Sequence, residues 1–262
     1  MKNLIISDFY RILKTKVTYV SLILAFVMPL LMAGLYAGLE AALNGAIEES
    51  GESLLNFTGE ALMASTFSLT NNFGLVVPVF VVIVIMADIS SGTIRNKIIF
   101  GYKRHQIFAS HFITAFTYCL ITMIVYAGMT ALWSIVLLGG FEMDSAKQLS
   151  YLYFYILGFI GFSVVVAIAS CLCLSSLNSP LSIIVTLAIC IIASFVISLL
   201  SGFEFNEVTE HILRFLPSFV LSKVLYDNIT TIMFLESLGG IVIFTCLAYG
   251  LGTYIFSKRD LK

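Results

Sequence analysis

Leu181-Ser-Ile-Ile-Val-Thr-Leu-Ala-Ile-Cys190-Ile-Ile-Ala-Ser-Phe-Val-Ile-Ser-Leu-Leu200 contains no Asp, Glu, Lys or Arg. A helix of about 20 residues, rising ~1.5 Å per residue, covers the ~30 Å hydrocarbon core of a bilayer. The uncharged run extends outward from Gln148 to Phe203, long enough for two crossings. It is broken at Ser175-Ser176-Leu177-Asn178-Ser179-Pro180, where a proline after small polar residues ends one helix and opens the next. The remaining charge-free runs are Lys16–Glu40 (between those two charges), Ala61–Ala87, His105–Phe141 and Ser237–Ser257. Six spans follow, near Val17–Leu39, Asn72–Ala87, Ile107–Gly139, Leu152–Leu174, Leu181–Leu200 and Leu238–Phe256.

The composition agrees with that count. Hydrophobic residues make up 60% of the 262 and charged residues 11%, against about a quarter charged in ordinary soluble domains. Mean hydropathy is +1.03. The first apolar run is too long for the core of a signal peptide and is expected to be retained. With six spans both ends share a side. Placing them inside puts Lys2, Arg11, Lys14, Lys16, Arg95, Lys97, Lys103, Arg104, Lys258, Arg259 and Lys262 in the cytoplasm, against Lys147, Arg214 and Lys223 outside. The positive-inside rule selects that orientation. Of the acidic residues only Asp8, Asp88 and Asp260 fall inside, so the net charge of −1 conceals a charge asymmetry across the membrane.

Residues 1–16 precede the first span. Leu4, Ile5, Phe9, Ile12 and Leu13 recur at helical spacing, with Lys2, Asp8, Arg11 and Lys14 between them. This predicts an amphipathic helix lying in the headgroup layer, Asp8 on its polar face. The first exterior segment, 40–71, reads as a long acidic loop, with Glu48, Glu49 and Glu52 near Gly51 and an Asn-x-Thr sequence at Asn56; a second stands at Asn228. The second exterior segment, 202–236, carries an apolar stripe at Phe205, Val208, Ile212, Phe215, Leu216 and Phe219. Glu207, Glu210 and Arg214 lie opposite, interrupted by Pro217. One or two short amphipathic helices are expected there, with Glu210 and Arg214 paired at i, i+4. The third uncharged run exceeds a crossing, so its helix is expected to start in the cytoplasm near Gln106.

Several chemistries find no residues. The chain has no phosphate-binding Gly-x-x-x-x-Gly-Lys-Ser/Thr loop, no His-Glu-x-x-His and no Gly-x-Ser-x-Gly. His105, His111 and His211 are scattered, and the spacing assembles no metal site from them. Cys119, Cys171, Cys173, Cys190 and Cys246 all fall in apolar spans, as small hydrophobes rather than a disulfide framework. The spans carry no Asp, Glu, Lys or Arg in their central parts, which disfavours a proton- or sodium-coupled carrier. Gly34-x-x-x-Gly38 on the first span suits close helix packing, within the chain or between copies.

The remaining informative stretch is Asp88-Ile-Ser-Ser-Gly92-Thr93-Ile94-Arg95-Asn96-Lys97, followed by Gly101-Tyr-Lys103-Arg104. Ser90 or Ser91 suits a helix N-cap, and Gly92 suits a tight turn. Arg95, Lys97, Lys103 and Arg104 offer donors to a partner's carboxylates. The stretch resembles the cytoplasmic loop of type-2 exporter-class ABC transporter permeases, the bacterial kind with a separate ATPase subunit. In these an acidic residue and Gly-Thr-Ile/Leu-Arg/Lys follow span two, and a basic residue precedes span three. Family members often carry glutamate where this chain has Asp88 and lysine where it has His111.

That resemblance implies an all-α polytopic fold in one permease domain, 1–262, in the cell membrane. Its parts would be an N-terminal elbow helix at 1–16, a coupling segment at 88–106, both termini cytoplasmic, and short exterior helices between spans five and six. It implies Asp88, Gly92, Thr93, Ile94, Arg95, Lys97, Lys103 and Arg104 as the ATPase-coupling residues. A second permease chain and a cytosolic ATPase subunit that binds ATP and Mg²⁺ would be the partners. No cofactor is expected in this chain, no ATPase site of its own, and no nucleic-acid partner. The implied activity is export of an amphipathic or peptide-like cargo, such as an antimicrobial peptide, toxin or drug, with immunity as one role. Two alternatives stand beside it: a non-transporting sensor or structural subunit that binds an ATPase, and an intramembrane enzyme, which would need paired carboxylates or histidines within the spans.

Overall fold

The structure, a computed structural model, describes residues 2–50, 59–68, 73–139, 145–176, 178–201, 203, 206–216, 218–223 and 229–258. Glu52, Asn56, Phe205, Pro217 and Asn228, to which the sequence drew attention, lie outside the described residues. The helices are α1 Lys2–Lys14, α2 Lys16–Ser50, α3 Gly59–Ala64, α4 Phe73–Ser90, α5 Thr93–Ile99, α6 Arg104–Leu138, α7 Ser145–Ser176, α8 Ser179–Ser201, α9 Glu207–Leu213, α10 Phe219–Lys223 and α11 Thr231–Lys258. A single 3₁₀ turn, Ser65–Phe67, follows α3. No strand occurs among the described residues.

Six helices are long and apolar enough to cross a membrane: α2, α4, α6, α7, α8 and α11. The chain is therefore an all-α, multi-pass membrane protein. The expected spans agree with these helices in number and order, and the proline break at Pro180 falls at the start of α8. α4 and α7 are the inner helices, with most of their apolar stretch buried. α7 packs on α11, α6, α8 and α4, and α2 packs mainly on α6. The core is partly aromatic: Phe73 stacks on Tyr126 at 4.8 Å, and Phe67 meets Phe154 and Phe159 edge-on at 5.2 and 5.1 Å.

Phe67 belongs to a segment that the sequence marked as a solvated loop. Residues 59–67 instead fold back on the bundle, burying Leu62, Met63, Thr66 and Phe67. Gly158 of α7 makes the room, since a Cβ there would overlap the Phe67 ring. Gly34 and Gly38 of α2, by contrast, meet no neighbouring side chain within the protein. Their close-packing surface has no partner within the described residues.

At the α3 end of the bundle, α10 packs on α8 and α11, and the end of α9 meets the start of α11. The expected Glu210–Arg214 pair is present at 3.4 Å, and Arg214 also reaches Glu236 at 3.6 Å. Ser237 donates to the Arg214 carbonyl at 2.8 Å. The stripe is split, however: Phe219 is buried, whereas Val208 and Ile212 are exposed. The short α9 turns them away from the bundle.

Candidate functional site

The opposite end of the bundle gathers α1, the α4–α6 connection and the end of α11. α1 and α2 meet at a corner at Thr15, where the Thr15 and Thr18 hydroxyls both donate to the Ile12 carbonyl, at 2.7 and 2.6 Å. The Thr15 backbone N–H donates to the same carbonyl at 3.1 Å, so three donors converge on this helix end. The corner lays α1 against α6. Its buried stripe is Leu4, Asp8 and Ile12, so Asp8 lies on the inner face and not on the polar face expected from the sequence. Ile6, Tyr10 and Leu13 point outward.

α4 and α6 are joined through α5 by two glycine turns. Gly92 has φ 69° and Gly101 φ 84°, values a residue with a Cβ adopts at a cost. Gly92, not Ser90 or Ser91, is the N-cap of α5. The serine hydroxyls are turned back onto carbonyls of α4, Ser90 to Ala87 and Ser91 to Asp88. At the other end the Gly101 N–H donates to Ile98 O at 2.9 Å and the Tyr102 N–H to Lys97 O at 3.2 Å, the two-bond Schellman closure. The Gln106 side chain accepts the Lys103 N–H at 3.2 Å and starts α6.

Inside this frame lies a buried ionic cluster. Lys97 of α5 donates to Asp8 of α1 at 2.7 Å and to Asp88 of α4 at 3.4 Å. Arg11 of α1 pairs with the other oxygen of Asp88 and donates to Thr93 at 3.2 Å. Ser110 of α6 donates to Asp8 at 2.7 Å. His111 of α6 lies 3.4 Å from the Lys97 ammonium through Nε2 and 3.3 Å from Asp88 through Nδ1. An ammonium only donates, so His111 Nε2 accepts and the ring proton sits on Nδ1, directed at Asp88. His111 is thus neutral here, and two carboxylates balance one guanidinium and one ammonium. Asp8, Asp88, Lys97, Ser110 and His111 are all buried. Burial lowers the Lys97 pKa from 10.5, partly offset by Asp8, and lowers that of Arg11 for the same reason.

The cluster also bears on metal binding. Asp8, Asp88 and His111 each present a ligating atom, all within 4.8 Å of one another. Spacing along the chain separated these residues, and folding joins them. The Lys97 ammonium stands 2.7 to 3.4 Å from all three and fills the position a cation would take.

The sequence-marked residues therefore divide. Asp88 and Lys97 are internal, and Lys97 is spent on Asp8 and Asp88 rather than offered to a partner. Thr93 accepts from Arg11 and shares a 2.6 Å contact with Ser91. Ile94 is buried in a small core with Ile107, Phe108, Leu174 and Phe256. Arg104 donates to the Ser257 and Phe256 carbonyls at 2.9 and 3.4 Å, a cation at the C-terminal end of α11, where the helix dipole favours it. Arg95 and Lys103 are exposed. Beside them Ile99 and Phe100 are 80% and 82% exposed, two large apolar side chains that the sequence reading passed over. Asp8, Arg11 and Ser110 were missed as well.

From the cluster a line of hydroxyls runs along α6: Ser110, Thr114, Tyr118, Thr122, Tyr126, Thr130 and Ser134, at every fourth position and all buried. Thr114, Thr122 and Thr130 donate to carbonyls of their own helix. Tyr118 donates to Ser21 of α2 at 2.6 Å, and Ser134 reaches Gly59 O at 3.2 Å. Thr114, Tyr118, Thr122, Thr130 and Ser134 thus find acceptors within the bundle at membrane depth.

No family model matches this chain, and no curated protein matches it.

Proposed function

We propose that this chain is the membrane-spanning permease subunit of an ATP-driven exporter, powered by a separate ATPase subunit that docks on α5. One observation carries the reading. α5 and the turn after it present Arg95, Ile99, Phe100 and Lys103 outward, while the inner side of α5 is held by Ile94 and by Lys97 in the ionic cluster. Exposed aromatic and aliphatic side chains next to cations are what a protein partner with an acidic-rimmed apolar pocket would bind.

The inner attachments give such docking a consequence. α5 leaves α4 after two residues, Ser91 and Gly92, and joins α6 after another short turn. Lys97 ties it to α1 through Asp8 and to α4 through Asp88. A displacement of α5 therefore reaches three helices through charged contacts whose rupture is costly in a buried setting. In this reading Asp88, Gly92, Thr93, Ile94 and Lys97 position the coupling helix, and Arg95 and Lys103 contact the ATPase, together with Ile99 and Phe100. Arg104 fixes the end of α11 to the start of α6. The ATPase subunit would bind ATP and Mg²⁺. The basic α5 end and both termini would face the cytoplasm by the positive-inside rule. A second permease chain would complete the pathway for an amphipathic or peptide-like cargo.

The test is to purify the tagged chain from the cells that encode it and to look for a copurifying ATPase subunit. Copurification with Mg²⁺-ATP hydrolysis, abolished by Phe100→Glu without loss of membrane insertion, supports the reading. A wild-type chain that brings down no ATPase, or a Phe100→Glu complex with unchanged hydrolysis, rejects it. Stimulation of hydrolysis by cargo separates a transporter from an ATPase-binding sensor.

A further inference from the structure

Away from the ionic cluster, a cavity of about 210 Å³ lies against the middle of α7. Gly158, Gly161, Val165 and Ile168 of α7 form its floor, Cys190 and Ile197 of α8 one wall, and Phe244 of α11 the other. Phe67 and the α10 residue Leu221 close one end, where Ser218 also lines the cavity. α8 and α11 each pack on α7, so the space between them opens sideways. Ile189 and Phe244 at the opening are 37% and 40% exposed, and α8 and α11 are both membrane-crossing helices. The mouth thus faces hydrocarbon.

We propose that this groove holds one acyl chain of a membrane lipid from the leaflet on the α10 side, inserted tail-first with its polar end near Ser218. Three observations select that occupant. The lining is apolar except at the Ser218 end, which matches a molecule with one polar terminus. Apolar cavities stay dry, and one of ~150 Å³ already takes up benzene, so a larger one open to hydrocarbon fills with hydrocarbon. The mouth also opens between two membrane-crossing helices, with Ile189 and Phe244 partly exposed at it, so a lipid chain reaches it sideways from the bilayer. The proposal requires neither an ATPase nor a particular orientation in the membrane, so it stands or falls separately from the exporter reading.

The experiment uses the full chain in nanodiscs of phosphatidylcholine carrying a diazirine at the end of one acyl chain. Irradiation and peptide mapping should place label on Cys190, Ile197 and Val165 several-fold above the label on Ile23 and Phe26, which lie on the lipid-exposed face of α2. Ala193→Trp on α8 should remove the groove label and leave the α2 label unchanged. Gly161→Leu is a second blocking variant, since a Cβ there meets only Ile241 Cδ1 at 3.9 Å. Groove label no higher than the α2 face, or equal label in both blocking variants, overturns the proposal. So does an Ile189→Cys disulfide between two copies with no groove label, which would assign the face to a second chain.

Discussion

Removing Lys97 should destabilise the protein more than removing any exposed lysine, and the loss should depend on Asp8. The two groups are 2.7 Å apart, with side chains 8% and 2% exposed. At an effective dielectric of about 20, a unit pair at that distance attracts by ~6 kcal/mol, most of it offset by desolvation. Lys97→Met leaves Asp8 and Asp88 buried with only Arg11 to balance them, and breaking a buried pair in this way costs about 3–5 kcal/mol. Asp8→Asn leaves Lys97 with Asp88 and keeps an acceptor for Ser110, so its cost should be nearer ~2 kcal/mol. The double variant restores neutrality. Its cost should fall below the sum of the two by about 2 kcal/mol, within the ~0.5–3 kcal/mol range of contacting pairs. Thermal melting in detergent, followed with a thiol-reactive fluorophore, reads this directly, because Cys119 and Cys173 are fully buried. Cys246 is exposed and is replaced by serine in the background. At ~2–4 °C per kcal/mol, Lys97→Met should lower the midpoint by roughly 6–20 °C. Additivity of the two single variants within ~0.5 kcal/mol would refute the claim that Lys97 and Asp8 form one buried unit.

Gly92→Ala should cost about 1–2 kcal/mol through backbone strain alone, because a Cβ at Gly92 meets nothing. Gly92→Asn should cost less, since asparagine tolerates the left-handed region, and melting midpoints in that order check the reasoning. Gly240→Ala should destabilise by ~1–3 kcal/mol, because its Cβ would overlap the Phe215 carbonyl oxygen, and the melting midpoint should fall accordingly. His111→Lys places a second cation beside Lys97 and should lower the melting midpoint, whereas His111→Asn, which remains neutral, should lower it less. Arg95→Glu should reduce ATPase binding in pull-downs with little change in melting, because its side chain is exposed.

The membrane helices were legible because bilayer thickness imposes run length and the charges bounding each run mark its ends. The α4–α6 connection was legible in part: Gly92 was recognised as a turn residue, but Ser90 and Ser91 were credited with the cap that Gly92 provides. Asp8 was not legible as a buried group. An acid in a basic amphipathic helix reads as solvated, and its partner Lys97 lies 89 positions away. One signal was available, because Leu4, Asp8 and Ile12 share a single i, i+4 stripe. Lys97 was misread for the matching reason, since a lysine in a basic patch carries no mark of burial. Residues 59–67 pack on Gly158, a contact that no local pattern announces.

Docking of an ATPase subunit on α5 and Phe100, as proposed, is open to a single crosslinking test. A photo-crosslinking amino acid is placed at position 100 in the full chain, expressed in the cells that encode it, and at position 23 on the α2 face as control. Position 100 should crosslink to an ATPase subunit, with a yield changed by ATP, and position 23 should not. Crosslinks from position 100 to lipid alone, or to the ATPase equally from both positions, would contradict the proposed docking.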